Sequence, residues 1–369
     1  MKLFIIAGED SGDLHASNLI KSLHQTHPDL QVRGVGGDKM AEQQTSLIAH
    51  IKDINFMGFW EVIKNLGTIR KLFRTVKEDI LNWKPDAVVL VDYPGFNLRM
   101  AKFIKGLELP VIFYISPQLW AWKKGRIKTI RKFVDRMMVI LPFEKTFYAN
   151  EGVEVDFVGH PLLDVIAENE DSPISKPIVA LLPGSRQQEI KRMLPVMLSL
   201  PTKFPDYEFV VAGAPSQEAS FYHELIGDAP VSLVMDETYD LLHKASYALV
   251  TSGTATLETG LHKVPQIVCY SGSPISYAIG KRLVQVKYIS LVNLILDQPL
   301  VKELIQYEFN PDNLEKELAT LMKREETERV MEGYTKLRTK LGNVGASARA
   351  AEIVSKYLSQ QAPTEAISS

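Results

Sequence analysis

The apolar run Ala248-Leu249-Val250 stops at Thr251-Ser252-Gly253-Thr254, and Glu258 follows one turn into a helix-like stretch. A plain strand-to-helix turn needs one cap and one glycine; this one carries more polar equipment. Free backbone N–H groups and the helix dipole make such a start an anion site. Gly253 lets a phosphate approach the backbone, and the Ser252 and Thr254 hydroxyls add donors. Glu258 is spaced to accept from a group just beyond the phosphate, a ribose diol being the obvious candidate. A helix cap with a solvent-facing glutamate is the competing reading. LLPGSR (181–186) repeats the logic: Gly184 and Ser185 resemble a phosphate turn, and Arg186 can pair bidentately with a phosphate. Alone it reads equally as an ordinary turn. Two such loops in one half of the chain suggest the diphosphate of a nucleotide.

The first half carries acids instead. AGEDSGDLHA (7–16) crowds Glu9, Asp10 and Asp13 at a helix start, where capping by Asp13 or Ser11 explains part of the pattern. Acids repel phosphate, so this loop suits sugar hydroxyls or proton transfer, with Glu9 and Asp13 as candidates. In VDYPGFN (91–97), Asp92 ends an apolar run and is held by Pro94 and Gly95. A strand-end carboxylate in an apolar setting can have a raised pKa and act as a base. No two aspartates stand two apart, so the DxD pattern of metal-dependent sugar transfer is missing, and no His/Cys cluster has zinc spacing. No GxGxxG is present, which disfavours a dehydrogenase. No metal, cofactor or nucleic-acid partner is expected.

These residues need elements to position them. Continuous apolar runs at 2–8, 32–37, 87–92, 111–116 and 137–141 alternate with helical patterns at 13–25 and 59–83. Runs at 178–186, 207–215, 231–235, 247–253 and 265–270 repeat the scheme. Continuous rather than alternating apolar strands are covered on both faces, as in parallel sheets, and intervening helices imply right-handed crossovers. The polar stretch AENEDSPISKP (167–177) reads as a linker. The expectation is an α/β protein of two doubly wound, Rossmann-like domains, 1–165 and 166–344, with a ligand cleft between them. A helix at 345–358 is expected to pack back on the first domain, and 359–369 to be a disordered tail. The 369 residues hold one cysteine, Cys269, so no intrachain disulfide forms. The opening MKLFIIAGEDSGD has too short an apolar region for a secretory signal, and no run approaches the ~18 residues of a membrane span.

AGEDSGD, YISPQLWAW (114–122), PFE (142–144), VGHPL (158–162), LLPGSR and SGTATLE, in this order, resemble lipid-A-disaccharide synthase from residue 3 to about 306. The resemblance implies a GT-B fold and transfer of 2,3-diacylglucosamine from its UDP derivative to 2,3-diacylglucosamine 1-phosphate. The products are a β(1→6) disaccharide 1-phosphate and UDP, formed with inversion and without a metal. It places the nucleotide-site arginine at Arg186, the phosphate loop at Ser252–Thr254 and the ribose-side glutamate at Glu258. Asn293, Glu303 and Gln306 fall in the region that closes over the donor, and the important aspartate falls on Asp92. The chain departs from the family pattern at Gly95, Tyr93 and Asp10, and in QPLVKELIQ, where Leu300 and Lys302 replace expected residues. An epimerase acting on UDP-N-acetylglucosamine, or a non-catalytic nucleotide-sugar-binding protein on the same fold, is the alternative.

Acylated substrates imply a peripheral enzyme on the inner face of the cytoplasmic membrane; oligomeric state is left open. NFMGFWEVIKNLGTIRKLF (55–73) sets Phe59 and Trp60 near Lys64, Arg70 and Lys71, and QLWAWKKGRIKTIRK (118–132) sets Trp120 and Trp122 beside a dense basic run. Aromatics backed by basic residues are the pattern of an interfacial helix. Packing on the sheet competes for some of these side chains, and Ser116, Trp120 and Trp122 are candidates to line the acceptor site.

Overall fold

The computed structural model describes residues 1–53, 66–120, 124–166, 176–273, 277 and 286–361. Phe59, Trp60, Trp122, most of the 167–177 linker and the tail beyond 361 lie outside the described residues. The chain divides into two units, Met1–Asp164 with Gly342–Ser369, and Val165–Leu341.

The first unit is a seven-stranded parallel sheet in the order β3-β2-β1-β4-β5-β6-β7. Its strands are β1 (Lys2–Ala7), β2 (Gln31–Gly36), β3 (Ser46–His50), β4 (Ala87–Val91), β5 (Val111–Tyr114), β6 (Arg136–Val139) and β7 (Asp156–Phe157). The helices are α1 (Asp10–Thr26), α2 (Asp38–Glu42), α3 (Leu66–Trp83), α4 (Pro94–Lys105), α5 (Ile127–Phe133), α6 (Pro142–Asn150) and α7 (Leu162–Val165). Side chains alternate across β1, as strand geometry demands. Leu3, Ile5 and Ala7 enter a core with Leu19, Ile20 and Leu23 of α1. Phe4 and Ile6 enter the opposite core with Val76 and Ile80 of α3 and Met100 and Ile104 of α4. Both faces are apolar, so the strand reads as a continuous run.

The helix expected at 345–358 runs Ala346–Gln361 and packs on α1 within this unit. Ala350, Ala351 and Val354 complete the core below β1. The carboxylate of Asp164 caps it, accepting from the N–H groups of Gly345 (2.5 Å), Ala346 (3.2 Å) and Ser347 (3.0 Å).

The second unit is a six-stranded parallel sheet in the order β10-β9-β8-β11-β12-β13. Its strands are β8 (Ile178–Leu182), β9 (Glu208–Gly213), β10 (Ser232–Met235), β11 (Ala245–Thr251), β12 (Gln266–Tyr270) and β13 (Lys302–Ile305). The helices are α8 (Gln187–Met197), α9 (Ala219–Ile226), α10 (Thr238–Lys244), α11 (Thr254–Leu261), α12 (Leu291–Leu296), α13 (Pro311–Leu321) and α14 (Arg324–Leu341).

In each sheet the winding reverses once, between β1 and β4 and between β8 and β11, where crossovers leave in opposite directions. Doubly wound sheets bind ligands outside the carboxyl ends of the strands at that reversal.

Candidate active site

The acids of the first unit gather at the β1/β4 reversal, where Ala7 pairs with Val91. Asp92 and Tyr93 leave β4 with φ of 45° and 47°, two successive left-handed residues that are not glycine. Such residues cost on the order of 1–3 kcal/mol each and persist only where the surroundings hold them. Asn97 does the holding. Its buried amide donates to the carbonyls of Asp92 (2.7 Å), Val91 (3.2 Å) and Ile6 (3.3 Å), tying the turn to two strands. The Asn97 N–H donates to the Tyr93 carbonyl (3.0 Å), closing the first turn of α4. Gly8 completes the fit: a Cβ there would lie 2.2 Å from the Tyr93 ring.

The strained turn leaves Asp92 half-buried. Burial, then the nearby negative charge of Glu9, push its carboxyl up to about 7, against one favourable backbone hydrogen bond. The same two influences raise the Tyr93 phenol. A carboxylate that binds a proton near neutrality is suited to general-base work. Two buried histidines of this unit are not: burial lowers His15 to about 4 and His160 to about 3, so both stay neutral at physiological pH.

Asp13 has a different task. It is buried, and its carboxylate accepts from the N–H groups of Gly37 (2.6 Å), Lys39 (3.1 Å) and Met40 (3.2 Å), capping α2. Those bonds tie the Asp13 carboxylate to the start of α2.

Ser116 and Trp120, expected on the acceptor side, sit past the end of β5. The buried Ser116 hydroxyl pairs with the Tyr148 hydroxyl at 2.7 Å, and the Trp120 ring meets Phe143 edge-on at 5.1 Å. Beneath them lies Glu144, buried, accepting from the Leu141 N–H at 3.0 Å. Burial pushes its carboxyl up to about 7 despite hydrogen bonding to that N–H. The Trp120 indole N–H lies close enough to favour the charged form without completing a hydrogen bond of its own.

In the second unit the two anion loops flank the β8/β11 reversal. Gly184 turns with φ of 107°. Arg186 stands at the start of α8, largely exposed, and its guanidinium donates to Glu189 at 3.0 Å. The Ser185 carbonyl accepts from Ser216 and Gln217, both at 3.2 Å, which ties that loop to the end of β9. Gly253 and Thr254 are exposed at the start of α11. Glu258 faces Tyr239, whose hydroxyl donates to it at 3.1 Å; burial raises the Glu258 carboxyl, and that hydrogen bond opposes the shift.

The three donor-closing candidates form a scaffold behind these loops. The Glu303 carboxylate accepts from the Ile289 N–H (3.0 Å), the Ser290 N–H (2.9 Å), the Ser290 hydroxyl (2.8 Å) and the Asn293 amide (3.0 Å). Asn293 is buried and also exchanges two 2.9 Å bonds with the Val301 backbone. Gln306 clasps both backbone groups of Gly272 at 2.9 and 2.8 Å. The Ser252 hydroxyl donates to the Ile289 carbonyl at 2.9 Å, so Glu303 reaches the phosphate loop through one backbone segment. Sequence reasoning missed Asn97, Glu144 and Tyr239. Glu144 stood inside the PFE motif and Asn97 inside VDYPGFN, whereas nothing around Tyr239 marked it.

Loss of Arg186 tests the loop assignment directly. Arg186→Ala should weaken UDP binding by ~1.5–3 kcal/mol, the worth of one charge-assisted contact. A calorimetric titration with unchanged affinity and an intact fold would remove Arg186 from the nucleotide site.

The family model described as "Lipid-A-disaccharide synthetase" matches residues 3–357. A lipid-A-disaccharide synthase of Syntrophus aciditrophicus is 40% identical, covering 95% of this chain and 96% of that one. One from Myxococcus xanthus is 37% identical over 97% of each. Among solved structures, a putative UDP-N-acetylglucosamine 2-epimerase from Listeria monocytogenes superposes with a TM-score of 0.66 at 13% identity, covering 97% of both chains. The calicheamicin glycosyltransferase CalG4 does so with a TM-score of 0.63 at 16% identity, covering 98% and 99%. At those identities the likeness is one of fold.

Proposed function

The chain belongs to the lipid-A-disaccharide synthetase family and is a glycosyltransferase of the GT-B fold, and from that premise we propose how its own residues carry the transfer. The donor is UDP-2,3-diacylglucosamine and the acceptor 2,3-diacylglucosamine 1-phosphate. Asp92, as carboxylate, takes the proton of the acceptor 6-hydroxyl while that oxygen bonds to the donor's anomeric carbon. The bond from that carbon to the phosphate oxygen breaks, and UDP leaves with the electron pair. Attack opposite the leaving group inverts the centre. Arg186 and the backbone N–H groups at Gly253 and Thr254 stabilise the charge that develops on the diphosphate. Glu258, oriented by Tyr239, accepts from the ribose hydroxyls; Glu303 and Asn293 hold the backbone segment that meets Ser252, and Gln306 holds Gly272. Burial first, and the Glu9 charge second, keep the Asp92 pKa high.

One observation carries this reading. A carboxyl tuned to about 7 stands at the winding reversal of one sheet. The loops at 183–186 and 252–254, each leading into a helix, flank the reversal of the other. Incubation with both substrates should yield UDP and disaccharide in equal amounts. Conversion of UDP-N-acetylglucosamine to its 2-epimer without disaccharide would establish the rival activity instead.

Among the described residues no helix is long and apolar enough to cross a membrane. Acylated substrates then require docking from the side, and the aromatic-basic stretch at 55–73 has the composition for it. The protein should sediment with anionic vesicles in a salt-sensitive way. Replacing Phe59 and Trp60 with serine should release it at unchanged UDP affinity; equal sedimentation by that variant would clear the stretch of this role.

A further inference from the structure

A second polar feature of the first unit lies between α3 and α4. Ile69, Arg70, Phe73, Arg74 and Lys77 of α3 and Arg99 of α4 line a groove of about 470 Å³. The apolar residues form its floor: Phe73 and Ile69 are half-buried, while Arg70, Arg74 and Arg99 are exposed at the rim. Arg126 stands near enough to Arg99 that its guanidinium is held below the usual range, by burial first and by the Arg99 charge second. Cations collected this closely repel one another, and only one of them has an acidic partner at close range. Arg74 meets Glu78 at 3.9 Å, a loose pair on the solvent side, while Arg70 and Arg99 pair with no carboxylate among the described residues. Lys77 lies over the Phe73 ring at 5.3 Å and the Phe103 ring at 4.5 Å, which fixes its stem along the floor.

The groove is joined to the proposed base by stacked rings. Phe73 packs on Phe96 at 4.6 Å, and Phe96 on Tyr93 at 5.7 Å. Phe96 and Arg99 both stand on α4, the helix that begins directly after the Asp92-Tyr93 turn.

Resting on the acceptor assignment above, we infer that the Arg70–Arg74–Lys77–Arg99 groove is the subsite for the phosphomonoester of the sugar-lipid acceptor. Arginine forks bind the terminal phosphate oxygens bidentately, and a lysine adds a point charge. The apolar floor lies against the sugar face and the first methylenes of the acyl chains. With the phosphate held there, the far side of the same ring presents its 6-hydroxyl toward Asp92. A concave site of this size favours one phosphorylated sugar over the flat array of headgroups of a bilayer. The groove therefore selects the phosphorylated acceptor rather than merely attracting an anionic surface.

The experiment is steady-state kinetics in neutral detergent micelles, with the phosphorylated acceptor and with its counterpart lacking the phosphate. Arg99→Ala and the double variant Arg70→Ala/Arg74→Ala should each raise KM for the phosphorylated acceptor about tenfold or more. KM for the UDP-sugar should not move, and the preference for the phosphorylated acceptor should fall by the same factor. Arg99→Lys, which keeps the charge and loses the fork, should fall between. Unchanged melting temperatures and UDP affinity separate these effects from misfolding. An unchanged preference overturns the inference. So does a variant with normal kinetics in neutral micelles that has lost only its binding to anionic vesicles, because the groove would then serve bilayer headgroups. If the unaltered protein forms no disaccharide from the two substrates, the acceptor assignment fails and the groove assignment fails with it.

Discussion

Asp92→Asn is expected to lower turnover by a factor of ~10² or more while leaving UDP affinity near its original value, as removal of a general base should. The expectation extends to pH. Because the free carboxyl titrates near 7, kcat/KM should fall as pH drops below that value and the base becomes protonated. The limb should move to lower pH in Glu9→Gln, since the Glu9 charge is the second cause of the raised pKa. Stability should respond with the opposite sign. A carboxyl whose folded pKa exceeds its unfolded value near 3.9 favours unfolding when ionised, and that cost is relieved as pH falls from 7 toward 4. Asp92→Asn should therefore raise Tm, and more at pH 8 than at pH 5. Turnover close to that of the unaltered protein would move the base to Glu9. A fall in Tm at both pH values would mean that the carboxylate is held by hydrogen bonds rather than penalised by burial.

The second large effect is expected at Asn97. Asn97→Leu keeps the volume but withdraws a donor from the carbonyls of Ile6, Val91 and Asp92. Unmet buried acceptors cost ~1–3 kcal/mol each, and the left-handed pair Asp92-Tyr93 loses its restraint. A loss of ~3–5 kcal/mol in denaturant titration is expected. Turnover should fall at least tenfold at temperatures where the variant is still folded, because the carboxylate leaves its place. KM for the UDP-sugar should not change, as the nucleotide loops belong to the other unit. A stable variant with normal turnover would show that Asp92 is positioned without Asn97.

The sheets were legible because their strands are apolar on both faces, as Leu3–Ala7 and Ala87–Val91 illustrate. Three strands were not. β7 has two residues, β3 reads SLIAH at a sheet edge with a weak apolar pattern, and β13 lies inside KELIQ, whose polar residues drew attention as ligand groups. Strand order was equally hidden: nothing local says that β4 lies beside β1, and that neighbourhood brings Glu9 close to Asp92. Side-chain tasks were the least legible. Asp13 and Glu303 both look like candidate ligand carboxylates in the chain, and both hold backbone N–H groups at the start of another helix, α2 for Asp13 and α12 for Glu303. A cap formed across 24 residues leaves no local mark that separates it from a catalytic acid.

The discontinuity of the first unit orders events during synthesis. Its core below β1 lacks Ala350, Ala351 and Val354 until the end of the chain is made, while the second unit, Val165–Leu341, is one uninterrupted stretch. At ~5–20 residues per second, translation of that stretch lasts roughly 10–35 s. Throughout that interval the apolar side of α1 around Leu19, Ile20 and Leu23 waits without its partner helix. The second unit can fold as it emerges; the first cannot finish until Asp164 finds the N–H groups of Gly345, Ala346 and Ser347, which are made after it. The nascent chain thus presents a sheet with one apolar helix face uncovered to chaperones for as long as the ribosome is still at work on the other unit.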